Sequence, residues 1–259
     1  MSLKHTALLR QLAWRDIQTR YRGSMLGIVW AVLLPLIMLG VYSFVFGHIF
    51  EAKWGKEQAD GTTFTLLLFA GLTAFNLFAD VASKAPNLVA GNPNLVKKVV
   101  FPLEILPAAA MASSLFQATI CVIILVGAQL FLGQALHATI LALPIIALPL
   151  CLATLGIGWF LSAIGVYVRD IGQIVPAFLS AMLFLTPIFY PPTAMPDWMQ
   201  LAVRFNPLAY PIDDIRNAII FGTLPGLQQW CITLMAGAMV AILGFGFFSK
   251  TRKGFADVL

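Results

Sequence analysis

Charge is the property this chain has least of. Asp, Glu, Lys and Arg make up 10% of its 259 residues and 60% are hydrophobic, which excludes an ordinary water-soluble domain, where about a quarter of residues are charged. None of the four types falls between Ile105 and Val168, a run of 64 residues. One bilayer crossing takes roughly 20 apolar residues, so this run suits two. Cysteine is also sparse. Cys121, Cys151 and Cys231 all lie in apolar runs, and an odd number so placed excludes a disulfide framework and suits small core residues. The histidines, His5, His48 and His137, are too scattered for a metal cluster. No G-x-x-x-x-G-K-S/T loop occurs, so the chain does not bind ATP in the P-loop manner. Neither a nucleophile elbow nor paired carboxylates stand out. A proton-driven carrier would place ionisable groups in mid-membrane, and a membrane enzyme acting on polyprenyl lipids would gather acidic or histidine residues on one face; the sequence offers neither pattern.

What is present is a series of apolar runs of spanning length. They predict an all-α integral membrane protein with six transmembrane helices near residues 26–50, 63–84, 105–131, 138–168, 172–190 and 229–248, together one transmembrane domain over residues 25–259. The net charge of +5 follows the membrane rather than a nucleic-acid surface. With the N-terminus inside, twelve of the sixteen basic residues are cytoplasmic, leaving Lys53, Lys56, Arg204 and Arg216 outside. That positive-inside bias puts both termini in the cytoplasm. Residues 1–24 read as an amphipathic interface helix, with Leu9, Leu12, Ala13, Ile17 and Tyr21 at helical spacing among the arginines; a surface position at the membrane and a solvated cytosolic helix both fit, and Trp14 and Tyr21 favour the interface. Because polar and basic residues precede the first long apolar run, that run is expected to stay in the mature protein rather than be cleaved as a signal.

Two local features complete the pattern. Asn76, Asp80 and Lys84 lie four apart on one helical stripe, and Asp80 before Lys84 is the favourable order for an ion pair; mutual neutralisation and a role in transport are both open. Residues 187–225 hold seven of the fifteen prolines. They exclude a straight helix there, yet the stretch is too apolar for an exposed loop, which predicts short re-entrant helices between the fifth and sixth spans.

Three segments carry a resemblance: RDIQTRYRGSMLGIVWAVLLPLI from Arg15 to Ile37, NLVKKVVFPLEILP from Asn94 to Pro107, and VYVRDIGQIV from Val166 to Val175. Together with TPIFYPP and FNPLAYPID they resemble the ABC-2 type permeases that export O-antigen, capsule and teichoic acid. The resemblance implies a transporter subunit that is not an enzyme and carries no cofactor of its own. ATP and Mg would be handled by two copies of a separate P-loop ATPase. It further implies a homodimer in the bacterial inner membrane that moves a polyprenyl-diphosphate-linked polysaccharide outward, O-antigen foremost. Capsule, teichoic acid, an oligosaccharide or a drug are the alternatives within the family.

The resemblance also gives residues provisional roles. Pro86, Pro93, Pro102 and Pro107 cut the loop after the second span into short pieces. Lys97, Lys98, Phe101, Pro102 and Glu104 are expected in an ATPase-coupling segment, against the plainer reading that the lysines only obey sidedness. Arg169 and Asp170 are either a second contact or a topological anchor. At the corner before the first span, Arg20, Arg22, Ser24, Leu26 and Gly27 are expected to receive the lipid diphosphate, with binding of anionic lipid as the alternative. Sugar rings pack on aromatic faces, so Tyr42, Phe46, Phe50, Phe64, Phe75, Phe78, Phe178 and Phe189 are channel candidates, with lipid contact or helix packing as the plain explanation for each.

Overall fold

The structure is a computed structural model and describes residues 3–49, 61–97, 101–190, 203 and 206–259. Lys98, Phe50 and residues 191–202, 204 and 205 of the proline-rich segment lie outside the described residues. Every regular element among the described residues is helical. Helix α1 (Leu3–Tyr21) is followed by a tight corner and a 3-10 turn (Gly27–Val29), then α2 (Trp30–Tyr42), which continues as a wider π-type turn over Ser43–Ile49. Helix α3 (Gly61–Ala90) leads through the five-residue α4 (Pro93–Lys97) into α5 (Ile105–Phe131). A 3-10 turn over Ala138–Ala142 opens the next crossing, followed by α6 (Leu143–Ile146) and α7 (Leu148–Tyr167). The chain ends with α8 (Ile171–Leu185), α9 (Ala209–Ile220), α10 (Leu227–Thr251), a 3-10 turn over Arg252–Gly254 and α11 (Phe255–Val258).

Five stretches among the described residues are long and apolar enough to cross a membrane: Gly27–Phe46, Gly61–Ala90, Ile105–Phe131, Ala138–Tyr167 and Leu227–Val258. Ala138–Tyr167 is interrupted at Ala147, where Pro149 cannot donate to the preceding turn. The expected run over 172–190 differs. Helix α8 has 15 residues, about 22 Å at the α-helical rise and short of the roughly 30 Å hydrocarbon core. Its stop has a local cause: Pro187 disfavours helical backbone at the residue before it, and Thr186 is extended at ψ 136.

Helix α3 is the centre of the bundle. Every residue from Phe64 to Phe75 is buried, more than three turns with no free face. Helices α5, α7, α8 and α9 pack around it. Helix α2 is the opposite case, with Ala31 its one buried residue and an exposed apolar surface that includes Val32, Leu36, Ile37 and Val41. With no hydrophobic drive between helices in lipid, close van der Waals approach must hold them together. Helices α7 and α10 meet through glycines, for a Cβ on Gly244 would overlap the Gly156 backbone and one on Gly156 would overlap Val240 and Ala241. Helix α9 buries Ile212, Ile215, Ala218 and Ile219 against this bundle. Arg216, counted among the outside charges in the sequence reading, is 1% exposed. Its guanidinium donates to the Pro187 carbonyl at 2.9 Å and to Asp213 Oδ1 at 2.7 Å.

A second apolar cluster joins Leu12 of α1, Val89 of α3, Leu103, Leu106, Val166, Phe248 and Phe255.

Candidate functional site

The corner between α1 and α2 is built by two glycines in the left-handed region, Gly23 at φ 87° and Gly27 at φ 52°, where side-chain-bearing residues are disfavoured. Ser24 closes the turn, donating its backbone NH to the Tyr21 carbonyl at 3.4 Å and its Oγ hydrogen to the same oxygen at 3.0 Å, while Gly27 NH returns to the Ser24 carbonyl at 3.3 Å. Tyr21 then anchors the corner. Its hydroxyl donates to Gln117 Oε1 on α5 at 2.7 Å, and Gln117 Nε2 donates to the Ala31 carbonyl at 2.9 Å.

This corner caps a cavity of about 720 Å³ between α2, α3, α5 and α8. Arg20, Arg22 and Ser24 stand at one end of it, and Asn76, Asp80 and Ser114 make a polar wall. Deeper in, Trp30, Met38, Tyr42, Phe69, Leu72 and Leu179 supply an apolar lining. One end therefore suits an anion and the other an apolar chain.

At the polar end four charges balance. Arg20 Nη2 lies 2.6 Å from Asp80 Oδ2, and Lys84 Nζ reaches Asp80 at 3.2 Å and Asp16 at 3.0 Å. Ser113 donates to Asp16 and Ser114 to Asp80. Partial burial disfavours the charge on Arg20, but the adjoining Asp80 carboxylate outweighs it and the guanidinium pKa ends above its ordinary value. Burial likewise raises the Tyr21 phenol. Arg22 makes no ion pair among the described residues. It is exposed and so keeps its donors for another group. The network also ties α1 to the bundle, with Ala13 and Ile17 buried and Trp14 exposed.

Leu26 and Gly27 belong to the corner without lining the cavity, and Leu26 is exposed. Of the aromatic candidates, Tyr42 lines it. Tyr42 and Phe46 sit 6.4 Å apart, and Phe46 reaches Phe64 at 5.6 Å between ring centroids. Phe64, Phe75 and Phe78 are core residues of α3. Phe178 projects outward on α8, and Phe189 stacks on Phe184 at 5.6 Å. Among the described aromatic candidates, Tyr42 alone lines this cavity. Lys97 is exposed at the end of α4, as are Arg169 and Asp170 between α7 and α8. Glu104 is held on two sides: Trp159 Nε1 donates to its carbonyl at 3.0 Å and Arg252 Nη1 to its carboxylate at 2.8 Å.

Asp16, Ser113, Ser114, Gln117, Trp159 and Arg252 take part in these contacts without having been singled out from sequence. Only Asp16 carried a signal, being four residues before Arg20 on α1. Among the described residues no three His, Cys, Asp or Glu side chains are grouped to hold a metal ion.

Residues 7–220 match the ABC-2 type transporter family. The chain is similar to two O-antigen export system permease proteins RfbA of Klebsiella pneumoniae, one 27% identical over 254 residues, covering 97% of this chain and 95% of the relative, the other 29% identical over 256 residues with the same coverage. It is also similar to the polysialic acid transport protein KpsM of Escherichia coli, 23% identical over 210 residues, covering 80% of this chain and 79% of that protein. The matched region spans most of α1, the corner, the cavity walls and α9, and on that basis the chain belongs to the ABC-2 type transporter family as a multi-pass membrane permease, not an enzyme.

Proposed function

We propose that this chain is the membrane half of an ATP-driven exporter carrying a polysaccharide on a polyprenyl diphosphate out of the bacterial cytoplasm, with O-antigen the leading cargo. The observation that carries this reading is the two-ended cavity. A diphosphate suits the end where Arg22 has free donors beside Ser24 and the Arg20–Asp80 pair, and the apolar lining suits the attached lipid. The names of the relatives point to the same cargo class.

In this reading both termini are cytoplasmic, consistent with Arg10, Arg15, Arg20 and Arg22 before the first span and Lys250, Arg252 and Lys253 after the last. Helix α8, with the described residues that follow it to Tyr190, supplies the sixth crossing, and α9 is re-entrant. Two copies assemble through their exposed apolar helices. Two P-loop ATPase subunits dock on the segment bearing Lys97, Lys98, Phe101, Pro102 and Glu104, with Arg169 and Asp170 as a lesser contact. Aromatic residues facing the passage between copies guide the sugar chain.

The test is ATP turnover by the chain co-purified with its ATPase, with and without lipid-linked glycan. Stimulation is expected, and Arg22→Gln should reduce it roughly tenfold, the loss of a charge-assisted contact of about 1.4 kcal/mol, while membrane insertion is retained. Equal stimulation in the variant removes the diphosphate site. Stimulation by a drug-like compound and not by glycan would reassign the cargo.

A further inference from the structure

The end of the last spanning helix makes contacts that crossing the membrane does not require. Beyond Thr251 the backbone tightens through Arg252–Gly254 and turns back as α11. Arg252 spreads its fork over one target, donating from Nη1 to Glu104 Oε2 at 2.8 Å and from Nη2 to the Phe101 carbonyl at 3.1 Å. Both oxygens belong to the elbow by which the chain leaves α4 and enters α5. Three residues on, Phe255 is fully buried between Phe248 at 5.5 Å and Tyr167 at 6.0 Å. Leu95, Val96 and Phe101 pack against the same cluster. The Tyr167 hydroxyl donates to the Thr251 carbonyl at 2.9 Å, and Trp159 donates to the Glu104 carbonyl at 3.0 Å. The elbow is thus gripped from α7 and from the C-terminal turn together.

Stability alone does not account for this arrangement. The Arg252–Glu104 pair is about a third exposed on each side, a setting in which an ion pair adds little to folding. A planar fork across a carboxylate and a carbonyl fixes position, which a flexible ammonium would not do. Phe255 is the one aromatic residue of the stretch TRKGFADVL, and it is buried.

We propose that Arg252, three residues before the buried Phe255, is a positioning residue that joins the ATPase-coupling segment to the last spanning helix, so that displacement of the elbow at Phe101 and Glu104 by the ATPase is passed to α10 through this clamp. The inference rests on the docking role given above to the segment around Lys97.

The experiment uses the full chain with its ATPase in lipid nanodiscs, a photo-cross-linking amino acid substituted at Lys97, and the variants Arg252→Glu, Glu104→Arg and the two combined. Two quantities are read: cross-linking from position 97 to the ATPase, and ATP turnover relative to the ATPase alone. Each single variant should retain the cross-link and lose the permease-dependent change in turnover by roughly tenfold, the scale of a displaced working geometry. The charge-exchanged pair should restore part of it, because a carboxylate at position 252 accepts from the guanidinium at position 104 but cannot donate to the Phe101 carbonyl. Unchanged turnover in Arg252→Glu, or loss in the single variants that the exchange does not even partly repair, overturns the clamp alone. Absence of any cross-link in the chain altered only at position 97 overturns the docking segment and the clamp with it.

Discussion

The Arg20 guanidinium donates to the Asp80 carboxylate at 2.6 Å across 60 residues of chain, so α1 and the central helix α3 are fastened by the side chains that also form the polar end of the cavity. Removing the acid leaves Arg20 without its ion-pair partner and Lys84 with Asp16 alone. Asp80→Asn should loosen α1 by about 1–2 kcal/mol, a value for charged hydrogen bonds reduced by the partial exposure of the site. Hydrogen exchange of the α1 amides should accelerate by roughly tenfold, and exchange in α7 should stay as it was. Equal protection in both proteins would refute the fastening.

Burial separates the aromatic residues into two groups with different expected behaviour. Phe75 is 3% exposed within the α3 core and Phe178 is 59% exposed on α8. Phe75→Ala should cost about 3–5 kcal/mol of stability, seen as loss of folded protein in detergent. Phe178→Ala should change stability by less than about 0.5 kcal/mol; if export nevertheless falls, Phe178 meets the cargo or the second copy.

The contact of α7 with α10 leaves no room for a side chain at Gly244, where a Cβ would overlap the Gly156 backbone. Gly244→Leu should cost at least about 2 kcal/mol through overpacking. Gly246, whose Cβ would meet nothing within 4 Å, should accept alanine with the thermal midpoint unchanged. The comparison fails if both variants melt alike.

Asp214 on α9 is 6% exposed and its Oδ2 finds no hydrogen-bond partner among the described residues. Burial, with the neighbouring Asp213 carboxylate adding to it, pushes its pKa from 3.8 up to about 6. A carboxyl whose pKa is raised by folding binds more protons in the folded than in the unfolded state between those values, so stability falls as pH rises from 3.8 to about 6. Asp214→Asn should flatten this part of the profile and raise the thermal midpoint at pH 7. A midpoint unchanged at pH 7 would show that the carboxyl is not strained there.

Much of this architecture was legible because charge patterning reports what lipid will accept. The helix Ile105–Phe131 has the bounds that its flanking residues imply, and the Asp80–Lys84 pair follows from spacing alone. The turn at Gly23 and Gly27 was likewise readable, since both glycines adopt positive φ. Other features had no local signal. Serines in an apolar helix usually satisfy themselves on the preceding turn, so nothing marked Ser113 and Ser114 as partners of Asp16 and Asp80. Helical spacing put Phe64, Phe75 and Phe78 on one stripe, but periodicity states which residues share a face and not what covers it. On α3 every face from Phe64 to Phe75 is covered. The early stop of α8 was written in Pro187, whose effect falls on Thr186 before it, and an uncharged run conceals such a break.

The enclosure of α3 from Phe64 to Phe75 bears on how the molecule can change shape. A rod with neighbours around its whole circumference cannot roll or slide without disturbing all of them at once, so it serves as the fixed axle of the subunit. Rearrangement during a cycle must then fall to the thinly covered members, α2 with its one buried residue and α8 with two. Reporter labels on those outer rods should register motion, and a label inside the axle should stay silent.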